Sequence, residues 1–259
     1  MLQHVRLHRI QTLLSNHQQV STERLIRELG VSRETIRRDI ITLENQNLVR
    51  RVHGGIVALQ VPQQEAPLTE RQASQTKEKK AIAQTLAEML SPGQTIFIDS
   101  GSTTTRVAEA LSTMSGLTII TNNIQAALRL NASEGREQLN NQIILLGGDL
   151  QADAKETRGE ETLNTIYRYR ADMAVLSPVG ICGYGASSFY RWESAIAEAM
   201  IRQSNQCTLL ADHTKIGKQS RFYYARPEQI TTVITDSKAS EHEQFQTLEQ
   251  QYRQMIIAK

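Results

Sequence analysis

The sequence has few cysteines and no long hydrophobic run, and each absence removes a class of protein. Of its 259 residues only Cys182 and Cys207 are cysteines, too few for a disulfide framework or, by themselves, for a zinc site. We expect both to be packing residues, since free thiols are among the most buried side chains. No run reaches the ~20 apolar residues of a membrane span, and the N-terminal segment lacks the apolar stretch and cleavage site of a signal peptide. The sequence therefore predicts a cytoplasmic protein.

Lysine is absent from residues 1–60, and the charge of the chain is unevenly distributed. The whole chain has a formal net charge of +2. Residues 1–60 contain nine arginines and five acidic residues, a net charge of +4, which leaves 20 bases and 22 acids, a net charge of −2, in the remainder. The concentration of positive charge in the first quarter predicts a polyanion partner for that quarter alone.

The length and one polar segment predict two domains. A chain of 259 residues is about enough for two, and 39% hydrophobic residues allow a substantial core. Residues 61–76, VPQQEAPLTERQASQT, contain two prolines and several glutamines without an apolar period, which is typical of a linker. We therefore expect a first domain at 1–60, a linker at 61–76 and a second domain at 77–259.

The first domain contains the pattern of a helix-turn-helix. An apolar face with Val5 and Ile10 predicts a first helix that ends near Asn16. Ser21 then opens the amphipathic stretch STERLIREL, which Gly30 terminates. Ser32 follows as an N-cap candidate for the next helix. Two helices joined by a tight glycine turn predict a helix-turn-helix.

The stretch VSRETIRRDI begins the second of these helices. At ~100° per residue, Ile36, Ile40 and Leu43 face inward, with Asp39 at the edge of that stripe. The opposite face presents short polar and arginine side chains at the helix N-terminus, where unpaired N–H groups suit phosphate. In helix-turn-helix proteins this part of the second helix meets base edges. The predicted DNA contacts here are Ser32, Arg33, Glu34, Thr35, Arg37 and Arg38.

A solvated helix face with a Glu34–Arg38 pair is the alternative interpretation of this stretch. The preceding helix, the glycine turn and the local excess of arginine favour DNA binding. The segment LVRRVHGGIVAL that follows predicts a hairpin, or wing, because glycines lie between two apolar runs. Arg50, Arg51, His53 and Gly54 would then approach phosphates or the minor groove. A structural turn role for His53 stays open, and metal binding by it is not expected.

Beyond residue 76 short strand-like and helical patterns alternate, which predicts βαβ units and a mainly parallel sheet. Four polar segments follow predicted strands: IDSGSTTT, TNN, GGD and DHTKIGK. Ligands of such sheets bind at the carboxyl ends of strands. The first segment is neither a Walker loop nor GxGxxG, and it has an ordinary N-cap as its alternative. The shared edge of the four segments predicts a pocket for a small phosphorylated polyol, in which Lys215 could reach the anion.

These segments together resemble the DeoR family of bacterial transcription regulators. The most specific are VSRETIRRDIITLE and RRVHGG, followed in the expected order by IDSGSTTT, TNN, GGDL, RGEE and DHTKIGK. The resemblance implies a winged helix-turn-helix that binds operator DNA, joined to an α/β effector domain related to ribose-5-phosphate isomerase and coenzyme A transferases. It also implies an oligomeric repressor, a dimer or tetramer, that responds to a phosphorylated sugar or related metabolite. The effector-binding residues that it implies are Asp99, Ser100, Gly101, Ser102, Thr103, Thr104, Asn122, Gly147, Gly148, Asp212 and Lys215.

Two alternatives remain open at this point. The segment PVGICGYGASSFYRWESAIAEAM departs from many family members, and its Phe189, Tyr190 and Trp192 could stack on a ligand or pack a lid. The chain could also be a sugar-phosphate isomerase or acyl-transferase-like enzyme fused to a DNA-binding domain, with Asp99 or Asp212 as general base. We expect a regulator rather than an enzyme, because no nucleophile elbow and no adjacent acid/base pair is visible. We expect no cofactor, no metal and no membrane partner.

Overall fold

The computed structural model describes residues 3–17, 19–46, 48–52, 54–58, 65–132 and 140–259. These residues form two compact units, Met1–Gln64 and Glu65–Lys259. Within the described ranges, no helix combines the length and the apolar character needed to cross a bilayer.

The first unit is a small helical bundle beside a three-stranded sheet. In chain order its described elements are α1 (Gln3–His17), β1 (Gln19–Ser21), α2 (Thr22–Leu29), α3 (Arg33–Asn45), β2 (Val49–Val52) and β3 (Gly55–Ala58). The predicted caps are confirmed: Ser21 Oγ accepts from Arg24 N at 3.2 Å, and Ser32 Oγ accepts from Thr35 N at 3.2 Å. Gly30 ends α2 at φ 63°, a left-handed conformation that favours glycine.

The core of this unit joins all three helices to the sheet. Its buried side chains are Ile10, Leu14, Val20, Leu25, Leu29, Ile36, Ile40, Leu43, Val49 and Ile56. The expectation that Val5 belongs to the inner face of α1 is wrong, since 38% of Val5 is exposed. Strand β1 is too short to give a sequence signal, yet it pairs antiparallel with β3. A Cβ at Gly55 would lie 2.4 Å from the Val20 carbonyl oxygen, so this pairing requires glycine there.

The second unit is built on a seven-stranded parallel sheet. Its strands among the described residues are β4 (Thr95–Ile98), β5 (Thr118–Thr121), β6 (Gln142–Leu145), β7 (Asp149–Gln151), β8 (Glu156–Arg158), β9 (Ala171–Leu176), β10 (Gly180–Cys182), β11 (Gly185–Ser188), β12 (Ser204–Leu210), β13 (Phe222–Ala225), β14 (Thr232–Thr235) and β15 (Met255–Ile257). The parallel sheet has the order β15-β14-β12-β9-β4-β5-β6. Strands β7 and β8 form a hairpin, and β10, β11 and β13 form a smaller antiparallel sheet.

Helices cover the parallel sheet and bury its apolar strands. They are α4 (Leu68–Ala73), α5 (Thr76–Met89), α6 (Ser102–Ala110), α7 (Ile124–Asn131), α8 (Glu160–Ile166), α9 (Arg191–Arg202) and α10 (Phe245–Gln251), with 3-10 turns at Leu111–Thr113, His213–Lys215, Pro227–Gln229 and Ser237–Glu241. Two clusters of buried apolar side chains result, one that includes Phe97 and Leu209 and one that includes Ile96 and Leu210. Neighbouring residues of one strand therefore enter different clusters, as expected for a sheet covered on both faces.

The segment expected to be a linker differs from that expectation over most of its length. Helix α4 lies within it, Leu68 is buried, and the second unit begins at Glu65 rather than at residue 77. Buried Lys79 fastens the segment, because its Nζ donates to the carbonyl oxygen of Ser74 at 2.9 Å and to that of Arg71. A six-residue helix is too short to show an apolar period, so the sequence did not indicate it. We call residues 65–75 the arm.

Candidate functional site

The second helix of the helix-turn-helix carries its arginines on the exposed face. The side chains of Arg33, Arg37 and Arg38 are 76%, 68% and 76% exposed, whereas Ile36 and Ile40 face the core. Ser32 caps the helix, and its Oγ also lies 2.9 Å from Thr35 Oγ1. The N-terminal turns of α3 therefore present cationic groups next to the positive end of the helix dipole, an arrangement suited to phosphate.

Ion pairs on this face are present but weak. Arg38 Nε lies 3.5 Å from Glu34 Oε1, Arg37 lies 3.8 Å from Glu34, and Arg33 lies 3.3 Å from Glu23. The Glu34–Arg38 pair of the alternative interpretation is therefore formed. Exposed pairs of this kind contribute about 0.2–1 kcal/mol and are screened by salt. They leave the arginines able to turn toward a phosphate backbone.

Asp39 is the one acidic residue of α3 that the structure buries completely. Sequence periodicity put it at the edge of the inner stripe, yet it is fully buried, and both its oxygens accept from Arg6 of α1 at 2.6 and 3.0 Å. A bidentate pair fixes orientation as well as distance. It sets the position of α3 against α1, a contact between residues that are 33 positions apart.

The hairpin after α3 forms as predicted, with β2 and β3 antiparallel. Arg50 is exposed, and Arg51 pairs with Glu44 of α3 at 2.8 Å. Gly54 has φ 79°, and its carbonyl oxygen accepts from Thr22 N at 3.0 Å, so the hairpin tip is held against the start of α2. His53 lies outside the described residues.

In the second unit, the segment after β4 forms an open helix N-terminus. The first N–H groups of a helix have no intrahelical partner. Gly101 is the N-cap of α6 and has no side chain that could accept from them. The hydroxyls of Thr104 and Thr105 donate to the Gly101 carbonyl oxygen at 3.2 and 2.7 Å. A Cβ at Gly101 would lie 3.2 Å from that of Ser177, so glycine keeps this turn narrow. The predicted residues Ser102, Thr103 and Thr104 are all buried here.

Thr235 Oγ1, at the end of β14, is buried and has no hydrogen-bond partner within the described residues. Three buried oxygen atoms of predicted site residues at the same end of the sheet also lack one. They are Asp99 Oδ1, Asn122 Oδ1 and Asp212 Oδ2, which follow β4, β5 and β12. The second polar atom of each side chain is occupied: Asp99 Oδ2 accepts from Ser177 N at 2.9 Å, Asn122 Nδ2 donates to Thr157 O at 3.0 Å, and Asp212 Oδ1 accepts from Thr214 N at 3.0 Å. Buried polar atoms are normally paired. Buried acceptors of this kind suit a ligand that offers hydrogen-bond donors.

The remaining predicted residues take different positions. Ser100 lies beside Glu156, and its hydroxyl partly opposes the rise in the pKa of that carboxyl that burial causes. Gly148 has φ 132°, and a Cβ there would lie 2.2 Å from Thr162 Oγ1, so its role is steric. Gly147 accepts from the Thr162 hydroxyl at 2.6 Å. Lys215 lies in the turn after Asp212, and burial lowers its pKa, which the charges of Asp212 and Glu65 partly oppose.

Burial controls the acid–base state of the carboxyl groups around these atoms. Burial raises the pKa of Asp99 to about 8 and that of Glu193 to about 8, and it also raises the pKa of Glu156. Glu156 begins β8, the second strand of the β7–β8 hairpin. The next residue, Thr157, donates its N–H to Asn122 O at 2.9 Å. Desolvation favours the neutral acid. These carboxyls are then suited to hydrogen bonds with hydroxyls, as donors or as acceptors.

The sequence did not indicate four charged residues of this region. They are Glu156, Glu193, Glu65 and Arg71. The charges of Glu65, Glu156 and Arg71 act on Glu193, and those of Glu65 and Arg71 also act on Lys215. Glu156 and Glu193 lie in segments without a recognisable motif, and Glu65 and Arg71 lie in the predicted linker. RGEE is the one quoted motif that comes close, since its Arg158 ends β8.

The aromatic side chains of the departing segment pack on protein groups. Tyr190 and Trp192 stack at 4.5 Å, and Phe189 meets Tyr190 edge to face at 5.0 Å. Arg158 lies 4.3 Å above the Trp192 ring, and Trp192 Nε1 donates to Glu156 at 3.3 Å. The cluster therefore holds Glu156 in place, which agrees with the packing alternative.

Two family models match the chain and together cover most of it. The model described as "DeoR C terminal sensor domain" matches residues 74–237, and that described as "DeoR-like helix-turn-helix domain" matches residues 6–61. The chain is 38% identical over 219 residues to the glycerol-3-phosphate regulon repressor of Escherichia coli (strain K12), with 84% of each chain covered. It is 33% identical over 236 residues to the HTH-type transcriptional repressor GlcR of Bacillus subtilis (strain 168), with 91% of this chain and 89% of that one covered.

Solved structures give weaker likenesses. Ribose 5-phosphate isomerase A of Methanocaldococcus jannaschii matches with a TM-score of 0.40 and 14% identity over 56% of each chain. eIF2B beta of Chaetomium thermophilum matches with a TM-score of 0.42 and 14% identity over 77% of this chain and 52% of that one. The assignment of a helix-turn-helix unit and a parallel α/β unit therefore rests on the observed topology and on the two family models.

Proposed function

Since the chain belongs to the DeoR family of transcription regulators, we propose that it is a repressor of a sugar or carbohydrate-related operon whose affinity for operator DNA is controlled by a phosphorylated sugar or related metabolite. One observation carries the proposal. The same chain joins a capped, arginine-bearing second helix of a helix-turn-helix to a unit with an open helix N-terminus and three unpaired buried acceptors. The first feature suits a duplex, and the second suits an anion with hydroxyl groups.

In the DNA-binding part, α3 enters the major groove with its first two turns. Arg33, Arg37 and Arg38 reach base edges or phosphates, together with Ser32, Glu34 and Thr35. Arg50, Arg51, His53 and Gly54 of the hairpin lie along the backbone or the minor groove. Arg51 reaches DNA only by leaving Glu44, whereas Arg50 is unhindered by that pair. The domain that does this work is proposed to comprise residues 1–60.

In the effector part, the phosphate lies at the N-terminus of α6, against Asp99 to Thr104. The hydroxyls of the ligand then donate to the unpaired oxygens of Asp99, Asn122 and Asp212. Gly147 and Gly148 shape the neighbouring loop, and Lys215 adds positive charge. A relative named for the glycerol-3-phosphate regulon supports a phosphorylated polyol as the class of ligand.

The chain is a regulator rather than an enzyme. Three relatives that match more than four fifths of its length are named repressors or regulators. A general-base role for Asp99 or Asp212 is not favoured by these relatives. Clear turnover of pentose or hexose phosphates, abolished in Asp212→Asn, would contradict this reading.

The proposal includes an oligomeric state and a location in the bacterial cytoplasm. Two subunits match two half-sites ~34 Å apart or a multiple of that distance, so we propose a dimer or tetramer. Operator DNA lies in the cytoplasm, and the protein acts there. The ligand changes DNA affinity only if it binds two states of the protein with different affinity.

A gel-shift series with Arg38→Ala tests the DNA-binding half. Promoter fragments from neighbouring genes are compared with random duplex at one salt concentration. If Arg38 contacts a base, the variant loses ~1–3 kcal/mol on the operator and little on random duplex. If it contacts phosphate, affinity for both falls alike.

Arg202→Ala is the matched control, since Arg202 is also exposed and also pairs with a glutamate four residues away. It should leave both affinities unchanged. Wild-type protein that shows no preference for any promoter fragment, even in dilute buffer, contradicts the proposed function.

A further inference from the structure

The arm carries an inward-facing ion pair on an otherwise exposed segment. Arg71 Nη1 lies 3.1 Å from Glu65 Oε1, and the two side chains are only 20% and 12% exposed. Ala66, Pro67, Thr69 and Glu70 around them are exposed. Helix α4, which carries Arg71, packs against α6, the helix that Gly101 begins.

Both members of the pair interact electrostatically with charged residues of the candidate effector site. The charge of Glu65 acts on Asp99, Lys215 and Glu193, and the charge of Arg71 acts on Glu156, Glu193 and Lys215. Asp99 follows β4 and Lys215 follows β12, whereas Glu156 begins β8 and Glu193 lies in α9. The guanidinium of Arg71 is therefore the cationic group that the arm adds to a region in which four carboxyls converge.

The contacts that position Arg71 engage its Nε and Nη1 atoms. Its Nε donates to the Ala66 carbonyl oxygen at 2.9 Å, and its own carbonyl oxygen accepts from Lys79 Nζ. Nη1 meets a single carboxylate oxygen at 3.1 Å. A guanidinium binds phosphate through two parallel N–H donors, and a phosphate monoester carries about −1.5 to −2 charges at neutral pH, more than one carboxylate.

We propose that Arg71 is a ligand for the anionic group of the effector and that Glu65 is its counter-ion in the ligand-free protein, replaced when the effector binds. This inference rests on the proposed function, because it names a further residue of the same pocket. When the anionic group of the effector binds Arg71, it would lie close to the Glu65 carboxylate, so Glu65 must move away. Glu65 is the first residue of the second unit, so its movement occurs where the chain leads toward residues 1–64.

The test titrates full-length protein with inorganic phosphate, glycerol 3-phosphate and glucose 6-phosphate at constant ionic strength. Thermal unfolding is followed by the fluorescence of Trp192, the single tryptophan. In Arg71→Gln the apparent Kd for the compound that stabilises the wild type should rise about tenfold or more, the size expected for one lost charged hydrogen bond. In Glu65→Gln it should fall, because the competing counter-ion is gone. A gain in affinity cannot arise from misfolding.

Arg202→Gln is the control, since it removes an arginine from an exposed pair with Glu198, and its Kd should equal that of the wild type. If the wild type responds and Arg71→Gln binds equally well, the inference is overturned while the metabolite-sensing function stands. If none of the three compounds stabilises the wild type, the metabolite half of the proposed function fails, and this inference fails with it.

Discussion

Asp99 is a buried carboxyl group at the end of β4. Its Oδ2 accepts from Ser177 N and its Oδ1 is buried. Burial raises its pKa to about 8, although the Ser177 N–H and the Thr104 hydroxyl partly oppose this shift. An ordinary aspartate has a pKa near ~3.9. Between these values the folded protein holds a proton that the unfolded chain releases. Asp99 therefore contributes stability that is present at low pH and is lost as the pH rises toward about 8.

We predict that Asp99→Asn makes the stability of the second unit less dependent on pH. In the wild type, the free energy of unfolding should decrease between pH 5 and pH 8, by at most ~1.4 kcal/mol per pH unit for this group. Glu193, whose pKa burial also raises to about 8, adds a decrease of the same sign. Urea unfolding at several pH values, followed by Trp192 fluorescence, measures the slope. Exposed Asp153→Asn is the control, and an equal slope in Asp99→Asn would contradict the prediction.

The arm supplies hydrogen-bond acceptors to the buried side chain of Lys79 and buries Leu68. Lys79 of α5 is buried, and burial lowers its pKa to about 8. Its Nζ donates to two carbonyl oxygens of the arm, those of Arg71 and Ser74. Leu68 of α4 is buried as well. Removal of the arm would leave a buried ammonium group without these acceptors and would expose apolar surface.

A fragment that begins at residue 65 should therefore be more stable than one that begins at residue 77. Loss of Leu68 burial costs about 1.5–3 kcal/mol, and loss of hydrogen bonds to a charged group costs about 1.5–3 kcal/mol, so we expect a difference of a few kcal/mol. Urea unfolding of the two fragments measures it. Lys79→Met should recover part of the stability in the shorter fragment and none in the longer one. Equal midpoints for the two fragments would show that the arm does not contribute.

The charge of the whole molecule is divided between its units, with +4 in residues 1–60 and −2 in the remainder. A duplex attracts the first and repels the second, so we expect the electrostatic part of the binding free energy to come from the arginines of residues 1–60. Binding to phosphates releases counterions. We predict that affinity for both operator and random duplex falls steeply with salt, by roughly 10³–10⁵ between 50 and 200 mM if six to ten phosphates are neutralised. Fluorescence anisotropy of labelled duplex measures the slope, and a flat dependence would contradict arginine-mediated binding.

The sequence by itself determined the elements whose signals are local. The caps at Ser21 and Ser32, the turn at Gly30 and the inner stripe of Ile36, Ile40 and Leu43 follow from spacing along one helix. The alternation of strands and helices fixed a parallel sheet, and hence a shared edge for Asp99, Asn122 and Asp212. Each of these depends on residues a few positions apart, so periodicity and turn chemistry suffice to reveal them.

The tertiary structure alone decided which distant residues meet. Asp39 pairs with Arg6 across 33 positions, the short strand β1 pairs with β3, and the arm brings Arg71 to Glu65. The predicted linker became part of the second unit because Leu68 and the carbonyl oxygens of the arm find burial and a buried ammonium there. Pairing and burial across long separations leave no periodic trace in the chain, since their free energy is gained only when the remote partner is already folded.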